Sequence, residues 1–177
     1  MRRGAVNVLK RRSPSFQEKS TDESIWKLGK LKESEVESVL LPELKRSEEK
    51  LPKALKFFSE QKRGDLAAAT LRAVLKDDSI KLKTSHYTRG ITACARSNMP
   101  QQALKLFHAM HKAKLQPNVI SYNSTISACE KGGEWQQALK LFDAMHKAKV
   151  QPDVISYSAA ISACEKGRAM AASIQVF

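Results

Sequence analysis

The chain carries few of the residues that chemistry needs. It holds only three cysteines, Cys94, Cys129 and Cys164, an odd number with no C-x-x-C pair. That pattern argues against a disulfide framework and against a zinc site. No apolar run approaches the ~20 residues of a membrane-spanning helix. The N-terminus lacks the continuous apolar stretch of a secretory signal. No segment alternates apolar and polar residues in the rhythm of a strand. There is no Ser-His-Asp set, no phosphate loop and no carboxylate pair with a plausible cleft, so an enzyme is not expected. Acids are scarce as well: 18 against 31 lysines and arginines, a net charge of +13. A chain this basic repels itself unless a polyanion is near, and nucleic acid or an anionic membrane surface are the natural candidates.

What the chain does have is enough apolar content (42%) for a packed core in one modest domain of 177 residues. It also has a period. Tyr87, Tyr122 and Tyr157 are 35 residues apart, as are Cys94, Cys129 and Cys164. Met110 and Met145, His111 and His146, and Pro117 and Pro152 keep the same step. A fixed period of this length marks a stacked-repeat architecture.

Within a unit, Tyr122, Ile126 and Cys129 fall at i, i+4 and i+7, one face of a helix. Gly132 and Gly133 interrupt it. Trp135, Ala138, Leu139, Phe142 and Met145 then trace a second amphipathic helix, which a basic stretch and Pro152 close. Each unit is a helical hairpin whose apolar faces need neighbouring hairpins. Two full units span 84–118 and 119–153. A third begins at Val154, and its second helix is expected to be cut in mid-course, with Ile174, Val176 and Phe177 in register 35 beyond Leu139, Leu141 and Phe142. A degenerate hairpin at 49–83 precedes them and reads as a cap. Residues 18–48 read as a charged linker, partly helical around Val36–Leu41. The first seventeen residues hold five basic residues and no acid, which fits either an organellar transit peptide or a disordered basic tail.

Hairpins of 35 residues that start V-I-S-Y-N and end Q-P-D resemble pentatricopeptide repeats. The resemblance is good over Thr84–Phe177 and weaker over Glu49–Lys83. It implies an all-α, right-handed α-solenoid of helix-turn-helix repeats that binds single-stranded RNA, one base per repeat, in organellar RNA processing, stability or translation. It places the protein in a mitochondrion or chloroplast, and otherwise in the cytoplasm. In the family the fifth and last residues of a repeat read the base. Here these are Thr88 with Asn118, resembling an adenine reader, and Asn123 with Asp153, resembling a uracil reader. Ser158 is the fifth residue of the third unit. The second residues, Ser85, Ile120 and Ile155, sandwich bases by this resemblance. The thirteenth, Arg96, Lys131 and Lys166, meet phosphates. The implied partner is single-stranded RNA, alongside other proteins or further repeats, with no cofactor, metal, small-molecule substrate or membrane. Family members with an appended cytidine deaminase carry H-x-E and C-x-x-C; this chain has neither.

Each of these residues also has a plainer reading. Asn118 and Asp153 are good helix N-caps. Arg96, Lys131 and Lys166 suit helix C-termini through the dipole. The cysteines read as core packing, Trp135 as a core residue, and His111 and His146 as solvated side chains. At the level of function the alternatives are a helical-repeat scaffold that docks an acidic peptide, or a truncated product inactive alone.

Overall fold

The 35-residue period becomes two parallel rows of helices. The computed structural model describes residues 30–47, 49–77 and 80–174, with side chains as far as Arg168. The fold lies in the compact unit Leu31–Phe177. The acid-free segment 1–17 and the register of Ile174, Val176 and Phe177 lie outside the described side chains. Among the described residues there is no strand, and no helix is long and apolar enough to cross a membrane.

A 3₁₀ turn (Glu33–Glu35) and a wide π turn (Val36–Leu40) lead into α1 (Leu41–Lys45). The hairpins follow: α2 (Lys50–Glu60) with α3 (Gly64–Asp77), α4 (Thr84–Arg96) with α5 (Pro100–Lys112), and α6 (Val119–Lys131) with α7 (Trp135–Lys147). The last helix, α8, spans Val154–Ile174. The first helices of the hairpins form one row, α2 on α4, α4 on α6 and α6 on α8. The second helices nest between them: α3 touches α2 and α4, α5 touches α4 and α6, and α7 touches α6 and α8. This is an α-solenoid of helix-turn-helix repeats.

The core follows the apolar spacing. Tyr87, Ile91 and Cys94 of α4 and Tyr122, Ile126 and Cys129 of α6 are buried. Each large apolar side chain fully buried in this way contributes about 1.5–3 kcal/mol. Phe107 stacks edge-on against Tyr122, with ring centroids 4.9 Å apart, and Phe142 meets Tyr157 at 5.3 Å. On α7 the buried residues are Ala138, Leu141 and Met145. Trp135, Leu139 and Phe142, expected in the core, are only half-buried.

Helices α2, α4, α5, α6 and α7 each end in a left-handed residue: Lys62, Asn98, Lys114, Gly133 and Lys149. The next amide then bonds back into the last turn, as Glu134 N–H does to Cys129 O at 2.8 Å. The expected equivalent at Gly167 and Arg168 does not form, and α8 runs straight through. Arg168 stands where the two previous units have Gly133 (φ +79°) and Asn98 (φ +55°), residue types that enter the left-handed region more readily than arginine. The alanine-rich residues that follow favour helix. Gly167 remains necessary for another reason: a Cβ there would lie 2.7 Å from the Trp135 ring.

The stretch 31–45 is no linker. Leu31, Val36, Leu40 and Leu44 are buried, and the segment packs on α3. Ion pairs fix it there: Arg72 with Glu33, Lys76 with Glu37 at 2.7 Å and Lys45 with Asp77 at 2.6 Å. The outer cap of the stack is therefore this segment, laid over the 49–83 hairpin. At the other end α8 carries exposed apolar residues. Tyr157 and Ile161 are 50% and 60% exposed, whereas Tyr122 and Ile126, their counterparts one unit earlier, are 2% and 0% exposed.

Candidate nucleic-acid interface

The row of first helices lines a groove of about 600 Å³. Lys56 and Ser59 reach it from α2, and Ser85, Thr88, Arg89 and Arg96 from α4. Asn118, which caps α6, and Ile120 of α6 line it as well, with Glu60, Thr84 and Thr92. Five residues singled out from the sequence thus share one wall: Ser85, Thr88, Arg96, Asn118 and Ile120. Lys56 and Arg89 were not foreseen; Arg89 directly follows a reading position, and its charge was the available signal.

The two reading pairs differ in their bonding. Thr88 Oγ1 donates to Thr84 O at 2.9 Å, inside its own helix. Asn118 caps α6: its Oδ1 accepts the Ser121 N–H at 2.9 Å, and the Asn118 N–H donates to Ser121 Oγ at 2.9 Å. This reciprocal box satisfies donors that a helix start leaves open. The second pair is joined directly. Asn123 Nδ2 donates to Asp153 Oδ1 at 2.8 Å. Asp153 Oδ1 also accepts the Ser156 N–H at 2.9 Å, so Asp153 caps α8 at the same time. Capping and pairing are one arrangement here, not rival roles. The Ser156 N–H bond, followed by the Asn123 and Ser156 side chains, holds the Asp153 carboxyl below its ordinary value.

Asn123 and Thr88 each follow a buried tyrosine. Both are nearly buried, 7% and 8% exposed. Thr88 lines the groove, whereas Asn123 lies one helix further along, against Asp153 and Ser156. Ile120 and Ile155 are well exposed, at 56% and 61%. Ser85 and Ser158 are exposed too.

The thirteenth positions split. Arg96 and Lys131 are exposed and form no ion pair among the described residues. Lys166 is engaged: its ammonium lies 2.7 Å from Glu130 Oε1 and 3.0 Å from Glu130 O. Ser162 Oγ donates to the same carboxylate at 2.7 Å. Burial raises the Glu130 carboxyl, but the bonds from Lys166 and Ser162 outweigh it and leave it below its ordinary value. Lys166 thus ties α6 to α8 while its side chain stays 44% exposed.

The remaining suspects are structural. Burial pushes the Cys94 and Cys129 thiols up to about 12, far from a reactive thiolate. Cys164 is exposed. His111 and His146 stack edge-on against Phe107 and Phe142, at 5.0 and 4.8 Å. Among the described residues no cluster of His, Cys, Asp and Glu could hold a metal.

The model of the PPR repeat family, the pentatricopeptide repeats, matches residues 83–131 and again 117–166. No curated protein matches the chain. Among solved structures, the pentatricopeptide repeat protein PPR10 in complex with an 18-nt psaJ RNA element is similar at 20% identity, with a TM-score of 0.46 over 82% of this chain. PPR10 from maize is similar at 18% identity, with a TM-score of 0.39 over 89% of this chain. The chain spans 26% and 28% of those solved chains.

Proposed function

Residues 83–166 of this chain are pentatricopeptide repeats, and on that premise we propose that the protein binds single-stranded RNA along its row of first helices, one base per repeat. Thr88 with Asn118 takes adenine and Asn123 with Asp153 takes uracil, 5′ to 3′. Ile120 and Ile155 hold the second base between them, and Ser85 grips the first more weakly. Arg96 and Lys131 neutralise phosphates. Ser158 takes part without an assigned base. The service is organellar RNA processing, stability or translation, a reading supported by the acid-free first seventeen residues.

The observation that carries this reading is the bond between Asn123 and Asp153. The fifth and last residues of the unit are thirty positions apart, yet they meet at 2.8 Å between α6 and the start of α8. An amide there can donate and accept at a Watson–Crick edge. Stacking contributes about 1–3 kcal/mol per base. Two or three bases then give dissociation constants from about millimolar to micromolar, so selective binding in the cell requires further repeats, a partner or self-association.

Titration of the full chain with labelled single-stranded RNA tests the proposal. Oligomers rich in A-U steps should bind more tightly than G-C oligomers of equal length. Equal binding of all sequences and of an acidic peptide would replace the RNA reader with the peptide scaffold.

A further inference from the structure

Ser156 is the third residue of its unit, fully buried between α6 and α8. Its hydroxyl lies 2.5 Å from Asn123 Oδ1 and 3.0 Å from Asp153 Oδ1, and it accepts the Asp153 N–H at 3.1 Å. A serine has one proton to give. Asp153 Oδ1 already receives the Asn123 amide and the Ser156 N–H. Asn123 Oδ1 is the nearer acceptor and receives no other donor among the described residues, so the proton goes there.

We propose that Ser156 is a positioning residue of the base-reading site, whose hydroxyl fixes the orientation of the Asn123 amide and so decides uracil against cytosine. This rests on the RNA-reading function proposed above and adds to it a residue outside the fifth and last positions.

The amide is held at both ends. Its nitrogen faces the Asp153 carboxylate and its oxygen faces the Ser156 hydroxyl. Turning it over would set Oδ1 against a carboxylate oxygen. One N–H and one lone pair are left for the base, in a fixed order. Uracil offers an N3–H donor beside a carbonyl acceptor. Cytosine offers an N3 acceptor beside an amino donor, the reverse order. A fixed amide matches one of these orders, while a swinging amide accommodates both.

The preceding unit supplies an internal control. Ser121 also occupies the third position, but its hydroxyl donates to Asn118 O at 2.8 Å. Among the described residues the hydroxyl meets only the backbone N–H and carbonyl of Asn118 and bonds no reading side chain.

The test titrates the full chain with oligouridine and oligocytidine of equal length. Ser156→Ala should lower the uridine-to-cytidine affinity ratio about fivefold, the worth of one neutral hydrogen bond, while Ser121→Ala should leave it unchanged. In an Asn123→Ala background, Ser156→Ala should have no further effect on the ratio. Without RNA, the Asn123 side-chain amide protons should exchange faster in Ser156→Ala. Thermal melting shows whether that variant is folded, and the amide readout still decides if it is partly destabilised. An unchanged ratio or unchanged Asn123 resonances in a folded Ser156→Ala would overturn the positioning role alone. Indifference of the unchanged chain to base identity would overturn the RNA reading as well.

Discussion

Asn123 and Asp153 are joined through Nδ2 and Oδ1 at 2.8 Å, although thirty residues separate them in the chain. The bond links α6 to the cap of α8, so it registers one repeat against the next. Thr88 and Asn118 occupy equivalent positions one unit earlier, but Thr88 bonds back to Thr84 instead. The two sites are therefore built differently on one scaffold: a rigid charged pair and a looser neutral pair.

That difference predicts the outcome of an exchange. Asn123→Thr with Asp153→Asn copies the earlier pair into the later site. Grafted into an array long enough to bind measurably, the altered unit should move from uracil toward adenine by about 1–2 kcal/mol, since one or two hydrogen bonds are exchanged. Competition titrations with oligomers differing at one base measure this. If stability falls while base preference stays, Asp153 is a cap only, and the peptide-scaffold reading takes precedence.

The hairpins were legible in the sequence because every unit meets the same packing problem. Tyr87, Ile91 and Cys94, like Tyr122, Ile126 and Cys129, keep one spacing and one buried face. What escaped notice were departures from the period. Glu130 has Ala95 as its counterpart, so a repeat-averaged view hides the tie to Lys166. Arg168 stands in place of Gly133 where α8 runs on as one helix. Val36, Leu40 and Leu44 give a buried stripe inside a charged stretch, masked by Glu33, Glu35, Glu37 and Glu43. The Ser156 hydroxyl belongs to the repeated phrase V-I-S-Y, but its bond needs the neighbouring helix, which no spacing displays.

Salt dependence should count the phosphate contacts. With Arg96 and Lys131 in contact, log affinity against log salt should fall with a slope of about −1.4, from about −0.7 per contact on single strands. Lys131→Glu should flatten the slope and weaken all RNAs alike. Lys166→Met should leave the slope unchanged. A steeper slope that Lys166→Met reduces would return that lysine to the phosphates.

Ile126 and Ile161 form a matched pair at equivalent positions of α6 and α8, one buried and one exposed. Ile126→Ala should cost about 2–5 kcal/mol, the loss of a packed side chain plus its cavity. Ile161→Ala should stay within about 0.5 kcal/mol. Chemical denaturation measures both. A large cost at Ile161 would reveal that another chain covers α8 in solution.

The first seventeen residues give a cellular prediction. A reporter fused after Gln17 should enter mitochondria or plastids. Uniform cytosolic fluorescence would leave the segment as a basic tail.

The tie between Glu130 and Lys166 should be visible in the pH dependence of stability. Glu130 is almost buried, and its partners are Lys166 and Ser162. Lys166→Met leaves that carboxylate with the hydroxyl and its own neighbours, a loss of about 1–3 kcal/mol. A chain of this size should then melt about 2–10 °C lower at neutral pH. The carboxyl titrates below its ordinary value of 4.5 in the fold. Its contribution is therefore complete above 4.5 and is lost as the pH falls through the lowered value. The gap between the unchanged chain and Lys166→Met should accordingly close on acidification, because a protonated Glu130 no longer needs the ammonium. Glu130→Gln should show a flatter acid limb than the unchanged chain. A melting difference independent of pH would mean that Lys166 acts through the packing of its aliphatic stem on α6, with no part for the ion pair.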